Sequence, residues 1–557
     1  MIEERLLELI RAALETAAAG LGFNGELPEP ELLPTKKKEH GDFATNVALV
    51  LASQAGKDPR QVADAIRVAF PDAPFVERVE VAGPGFLNVF VTDEWLYDAL
   101  RDVVAKGASY GAGAPNGRRV QVEFVSANPT GPLHVGHARN AVLGDAIARL
   151  LEHAGWIVER EYYYNDAGGQ MDRFGASVEA RYLTHCGIES EIPEDGYHGS
   201  YIDALALELK EEVGTAYVDM PHEERLPLVR HAAAERVLRW IDRTLERFGV
   251  VFDTYMSEAS LVEKHEIHQA IERLRAAGHI FEEDGAEWFR STTFGDDKDR
   301  VVIRSNGVHT YFAADIAYVI DKFSRGFDHL IYVWGADHHG GVVRVKGAAE
   351  ALGYDPDAAE IVLYQWVAFL RDGSPIAMSK RAGTFVALDQ LIDEVGTDAA
   401  RFTLLQFSND STVNFDIEVV KQQTMENPVY YVQYGHARIA SILRKAQSQG
   451  VALKAIADVD LSLLTQDSEL DLLRALAEVP AKLAIAAEQR GPHRLTHASQ
   501  DLAAKFHRFY AECRVVSDDE ALTQARLWLA SGTKQVIANL LGLLGVSAPE
   551  AMDRVDG

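Results

Sequence analysis

Residues Arg119–Val125 alternate apolar and polar side chains, which predicts a strand. The segment behind it, Ser126-Ala-Asn-Pro-Thr-Gly-Pro-Leu-His-Val-Gly-His137, is rich in Asn, Pro and Gly and breaks regular structure. From His137 onward Val142, Leu143, Ala146, Ile147, Leu150 and Leu151 recur at helical spacing. A strand that runs through such a loop into a helix start offers free N–H groups and a dipole to phosphate. Gly136 lets the backbone approach a ligand, and His134 and His137, three apart, can turn their rings to one side. Imidazoles can donate hydrogen bonds to phosphate oxygens as charge shifts during a reaction. Two other roles stay open for the pair: half a metal site, although the H-E-x-x-H spacing and its Glu are absent, or a structural pair on a capped helix.

A second segment narrows the choice. Met378-Ser-Lys-Arg381 follows a predicted strand, Val362–Leu370, and the turn Arg371-Asp-Gly-Ser374. Ser379, Ala382 and Gly383 are small, so Lys380 and Arg381 sit on a loop suited to closing over a triphosphate and releasing pyrophosphate. Alone, the basic pair reads as a solvated surface. With the first segment it reads as the other half of a site that splits ATP between its α- and β-phosphates.

These two segments resemble the HIGH and KMSKS signatures of class I aminoacyl-tRNA synthetases, and within that class the chain resembles the arginyl enzymes. Glu123-Phe-Val-Ser-Ala-Asn128 is similar to the family's arginine-handling segment, and Tyr311-Phe-Ala-Ala-Asp-Ile-Ala317 to its Tyr-x-x-x-Asp element. Thr397–Arg401 and Tyr431–Arg438 resemble the approach to its helical anticodon domain; Lys38–Ala44 and Gly85–Val89 resemble its additional N-terminal domain. The likeness spans essentially the whole chain. Ala377 stands where the class pattern has its first lysine, and the loop before His134 lacks a lysine found in many family members, which leaves Lys380, helped by Arg381, as the expected phosphate cation.

The resemblance implies a multidomain α/β protein. A small α+β N-terminal domain (1–112) contacts tRNA, a Rossmann-like class I catalytic domain (118–420) carries a helical insertion at about 166–300, and a C-terminal all-α bundle (421–557) binds the anticodon. Gly111–Gly117 reads as the linker between the first two. Lys36-Lys-Lys38 is an RNA contact or an exposed turn. Strands are expected at Trp156–Tyr164 and His329–Trp334, and helices at 430–446, 471–489, 500–513 and 521–544. Tyr430, Tyr434 and Arg438 are candidates for tRNA contact, with core packing the alternative for the tyrosines.

Composition constrains the class without deciding it. At 557 residues the chain has room for three or four domains, and Cys186 and Cys513 exclude a disulfide framework or a Cys-rich zinc module. No apolar stretch reaches transmembrane length and the N-terminus lacks a signal-peptide core, so a cytoplasmic protein without membrane contact is expected, acting as a monomer. The net charge of −29 does not bar RNA, because binding depends on local patches. Residues 421–557 hold 15 basic and 16 acidic residues against 40 and 68 in the rest, so the C-terminal part is nearly neutral.

The expected reaction follows. Arginine and ATP, accompanied by Mg²⁺, give arginyl-adenylate and pyrophosphate, and the arginyl group passes to the 3′ end of tRNA(Arg). His134, His137, Lys380 and Arg381 are the expected catalytic residues; Pro129, Gly136, Asp337, His338, Met378 and Ser379 are expected to bind ATP. Asp337 and His338 follow a predicted strand, where a carboxylate suits ribose hydroxyls; a metal there would lack partners, and none held by protein ligands is expected. A planar, permanently charged guanidinium needs a carboxylate, supplied by Asp315 or Glu123, with Tyr311 closing the pocket and Asn128 near the α-amino end. The resemblance also implies that activation needs bound tRNA. Competing classes are another class I synthetase, a nucleotidyltransferase with an H-x-G-H loop, which needs no C-terminal bundle, and an RNA-binding paralogue that has lost its chemistry.

Overall fold

The computed structural model describes residues 2–35, 38–166, 168–376 and 386–552. Lys36, Lys37 and the segment 377–385, which holds Met378, Ser379, Lys380 and Arg381, lie outside the described residues. Two compact units emerge, one from residues 1–111, 435–481 and 501–539, the other from 112–434, 482–500 and 540–557.

The second unit is built on a parallel sheet. Its five strands run Ala359–Tyr364, His329–Gly335, Arg119–Glu123, Ile157–Tyr164 and Thr254–Ser257 across the sheet. All neighbours are parallel. The chain therefore winds outward from Arg119–Glu123 in one direction, then restarts beside it in the other. Doubly wound sheets bind ligands where that reversal occurs, at the carboxyl ends of the two central strands. Here those ends lead into Phe124–Ala127 and Ala336–His338. The helix Ala138–His153 packs closely on the first strand's exit: a Cβ on Gly144 would lie 2.1 Å from the Phe124 ring.

Some elements differ from expectation. The strand at 119–125 stops at Glu123 because Val125 and Ser126 turn into the left-handed region, with φ of 66° and 43°. The run 362–370 is two strands, Ala359–Tyr364 and Val367–Arg371, which belong to different sheets. They part at Gln365 and Trp366, where the Gln365 carbonyl accepts from the buried Arg139 instead of a neighbouring strand. The stretch 166–300 is largely helical, as expected, with Gly169–His185, Ser200–Val213 and His222–Arg247, but it also carries the sheet's edge strand Thr254–Ser257. Four residues are too few for a period to register. An antiparallel hairpin, Ile280–Glu283 with Ala286–Phe289, follows and pairs with Arg300–Ile303.

The first unit joins the N-terminal segment to bundle residues. A four-stranded antiparallel sheet (Leu33–Pro34, Phe43–Thr45, Phe86–Val91, Val76–Ala82) is covered by Ile2–Gly20, Val47–Ala55 and Pro59–Val68. The apolar spacing of Leu6, Leu7, Ile10, Ala13 and Leu14 predicts an amphipathic first helix. Leu6, Ile10, Ala13 and Leu14 lie on its buried stripe with Ile2, Ala17 and Ala18, while Leu7 is half-buried. Within this unit the Tyr97 hydroxyl donates to the Leu464 carbonyl at 3.3 Å and that of Tyr110 to the Leu476 carbonyl at 3.0 Å. The C-terminal helices are Pro428–Ser448, Asp467–Glu488, His493–Glu512 and Glu520–Leu543.

Candidate active site

A cavity of about 890 Å³ opens at the sheet's reversal point. One wall is the loop after Arg119–Glu123. Val125 is β-branched and rarely adopts positive φ, so its turn has to be held by its surroundings. Asn140 on the adjacent helix does this: its Oδ1 accepts the Val125 N–H at 2.5 Å and its Nδ2 donates to the Val333 carbonyl at 2.9 Å. The Tyr162 hydroxyl both accepts from Ala127 N–H (3.1 Å) and donates to Ala127 O (2.7 Å). The turn thus tilts Ser126 back, and its hydroxyl donates to Glu123 at 3.1 Å.

His134 and His137 line the cavity with ring centroids 4.0 Å apart. The Nδ1 of His134 accepts the Gly136 N–H at 3.0 Å, and that of His137 accepts the His134 N–H at 3.3 Å. A neutral ring with Nδ1 so engaged carries its proton on Nε2. Gly136 serves a purpose not foreseen: a Cβ there would meet the His134 ring at 2.7 Å. Gly136, Asp337 and His338 line the cavity, and the His338 Nε2 sits 3.7 Å from Asp337. Pro129 is buried outside the lining. The chain leaving the second signature is tied to the first: Val135 N–H donates to Val386 O and Leu388 N–H to Leu133 O, at 3.0 and 2.9 Å.

The opposite wall holds the acids. Asp315, on the helix Tyr311–Ser324, has no hydrogen-bond or ion-pair partner among the described residues. Its side chain is exposed to solvent through the cavity, although protein atoms crowd the space around it. That crowding governs its proton affinity. Burial, with the charges of Glu258 and Glu123, raises its pKa to about 7, while Arg344 opposes the rise. Glu123 is already engaged by Lys322 at 2.6 Å. Tyr163 lines the same wall, donates to Glu258 at 2.9 Å and packs on Tyr318 with centroids 4.5 Å apart.

Other expected residues stand elsewhere. Tyr311 is exposed at one end of its helix and does not line the cavity. Asn128 braces the loop: it donates to Gln170 at 2.8 Å and accepts the Asn165 N–H at 3.1 Å. Tyr430 is buried and stacks in parallel with Tyr434, centroids 6.2 Å apart, which favours packing for Tyr430. Arg438 lies over the Tyr510 ring, 5.0 Å from its centroid. Residues the sequence did not single out include Asn140, Tyr163, Lys322, Arg344 and the exposed Trp366. Asn140 directly follows the histidine loop, which was a usable signal; the others are joined to the site only by the fold.

Three family models match the chain: "Arginyl tRNA synthetase N terminal domain" over residues 4–91, "tRNA synthetases class I (R), catalytic domain" over 99–441, and "DALR anticodon binding domain" over 432–552. The chain is 49% identical over 547 residues to an arginine–tRNA ligase of Moorella thermoacetica, covering 98% of each chain. It is 47% identical over 558 residues to that of Heliobacterium modesticaldum, covering 99% of each. The structure of Thermus thermophilus arginyl-tRNA synthetase superposes with a TM-score of 0.74 at 26% identity, over 99% of this chain and 100% of that one.

Proposed function

This chain belongs to the arginyl-tRNA synthetase family, and from that premise we propose which of its residues carry the work of an arginine–tRNA ligase. The enzyme activates L-arginine with ATP and transfers it to the 3′ end of tRNA(Arg). The arginine carboxylate attacks the α-phosphorus, a bond to pyrophosphate breaks, and a hydroxyl of the terminal adenosine then displaces AMP. Such chemistry relies on positioning and charge stabilisation.

The observation that carries the assignment is Asp315, a carboxyl without a hydrogen-bond or ion-pair partner among the described residues, in the wall of the cavity that also holds the two histidines. A substrate guanidinium supplies the missing charge and meets the carboxylate bidentately. Glu123 acts beside it, held by Ser126 and Lys322 and turned toward the substrate's amino end. His134 and His137 donate from Nε2 to the phosphates, supported by the Nδ1 bonds that fix each ring. Asp337 and His338 take the ATP ribose. Lys380, aided by Arg381, takes the departing pyrophosphate; the tie between 386–388 and 133–135 supports this, since it brings that segment's exit to the histidine loop.

Mg²⁺ enters on the ATP phosphates, where it neutralises charge. Mg²⁺ so carried would be bound chiefly by phosphate oxygens and water. Residues 1–112 and 421–557, with Tyr434 and Arg438, meet tRNA, and bound tRNA is required for activation. The enzyme acts as a monomer in the cytoplasm; no helix among the described residues is long and apolar enough to cross a membrane. Arginine-dependent ATP–pyrophosphate exchange, run with lysine and citrulline as controls, tests the assignment. Exchange with arginine alone supports it; equal exchange with uncharged citrulline refutes a carboxylate-based pocket.

A further inference from the structure

The helix Tyr311–Ser324 presents Asp315, Tyr318 and Lys322 at intervals of three and four residues, and hence on one side. Asp315 reaches the cavity, whereas Lys322 is buried beneath its floor, 1% exposed. The Lys322 Nζ lies 2.6 Å from Glu123 and 3.6 Å from Glu161. It is flanked by the rings of Tyr318 and Tyr332, at 4.3 and 4.1 Å from their centroids. Glu161 has other support, from Arg325 at 2.6 Å and from the Tyr318 hydroxyl. Among the described residues Glu123 has only the Ser126 hydroxyl besides. The acid that depends on Lys322 is therefore the one that faces substrate.

A buried ammonium is costly to maintain unless its partner is fixed and charged. The reaction as derived makes no direct use of this one. We infer that Lys322 is a positioning residue that sets specificity: it pins and neutralises Glu123 from below, which leaves Asp315, the neighbouring acid on that wall, open to a substrate cation and tunes this end of the cavity to one guanidinium. This rests on Asp315 being the guanidinium's acceptor. Around Asp315, Glu123 and Glu258 favour its protonated form and Arg344 disfavours it. Tyr163 and Tyr318 complete that wall without charge. Loss of the Lys322 ammonium leaves the Glu123 charge unbalanced and raises the proton affinity of Asp315. Loss of Glu123 with Lys322 in place does the reverse.

The test measures arginine-dependent pyrophosphate exchange by the full-length enzyme with tRNA(Arg), as kcat/KM for arginine from about pH 5.5 to 9. Circular dichroism establishes that each variant is folded. Lys322→Met should raise the arginine KM about tenfold or more, leave the ATP KM unchanged, and move the acid limb up by about one pH unit. Lys322→Arg, which keeps the charge, should return the limb toward wild type, and Glu123→Gln should move it down. Should Lys322→Met not fold, the comparison of Glu123→Gln with Glu123→Gln/Lys322→Met isolates the ammonium: its removal should raise the limb. An acid limb that stays in place in folded Lys322→Met, or between those last two variants, overturns the inference. Asp315→Asn should abolish the limb; a limb that persists there overturns the assignment of Asp315 and the inference with it, whereas a limb lost there but unmoved in folded Lys322→Met overturns the inference alone.

Discussion

A carboxyl group that ionises near pH 7 binds a permanent cation in a pH-dependent way. Asp315 is held there chiefly by burial, with Glu258 and Glu123 adding to it. Below that pH it is protonated and cannot pair with a guanidinium, so kcat/KM for arginine should fall as pH drops from 8 to 6, and pyrophosphate exchange across that range measures it. The same shift has the opposite sense for stability. The unfolded carboxyl ionises near pH 4. The raised folded value therefore favours the fold at low pH, and that advantage is lost as pH rises through about 7. In arginine-free enzyme at pH 8, Asp315→Asn should unfold at a higher temperature than wild type, by ~1 kcal/mol after screening by cavity water. A lower melting temperature in that variant would remove the electrostatic argument. For the histidines, His134→Ala or His137→Ala should slow activation about 10²-fold, ~3 kcal/mol, with arginine affinity little changed. Unaltered single-turnover rates in either would take the phosphate role from that ring.

The strand, loop and helix around the histidine signature were legible because each has its own local mark: alternation, turn residues, then apolar spacing at 3.6. What escaped notice is the left-handed turn at Val125 and Ser126, since neither residue advertises it and Asn140, fifteen positions on, supplies the bond that holds it. Asn140→Ala should strand a buried N–H at a cost of ~1–3 kcal/mol and let the turn relax. Both thermal stability and kcat/KM for arginine should fall; a variant that loses neither would show that Val125 holds its conformation unaided. The break at Gln365–Trp366 was hidden for a similar reason, because the interrupting partner Arg139 is 226 residues away. The Lys322–Glu123 pair, 199 apart, is likewise invisible to any periodicity.

At the scale of the molecule, composition and motif order reached the right class and family, but not the grouping of the chain. The N-terminal segment shares a unit with bundle residues through bonds such as Asn539 to the Gly107 carbonyl, 432 positions apart. Within the catalytic unit, the buried Arg401 binds the Phe248 and Leu544 carbonyls and pairs with Asp145, while Asp398 accepts from Ser547. Leu544 and Ser547, near the end of the described chain, thus belong to the unit that holds the site. Removing 421–557 would strip those partners away, so the requirement for tRNA is properly examined in the full chain. Exchange should be negligible without tRNA(Arg) and appear on its addition; robust tRNA-free exchange would contradict the coupling.

The most direct test of the site is the arginine dependence of pyrophosphate exchange by full-length Asp315→Asn with tRNA(Arg) present. The amide preserves size and removes the charge that the enclosed guanidinium needs, a loss of ~2–4 kcal/mol. The arginine KM should rise by about 30-fold to several hundred-fold, with the ATP KM near its wild-type value. An arginine KM unchanged from wild type would contradict the assignment of Asp315 as the residue that selects arginine.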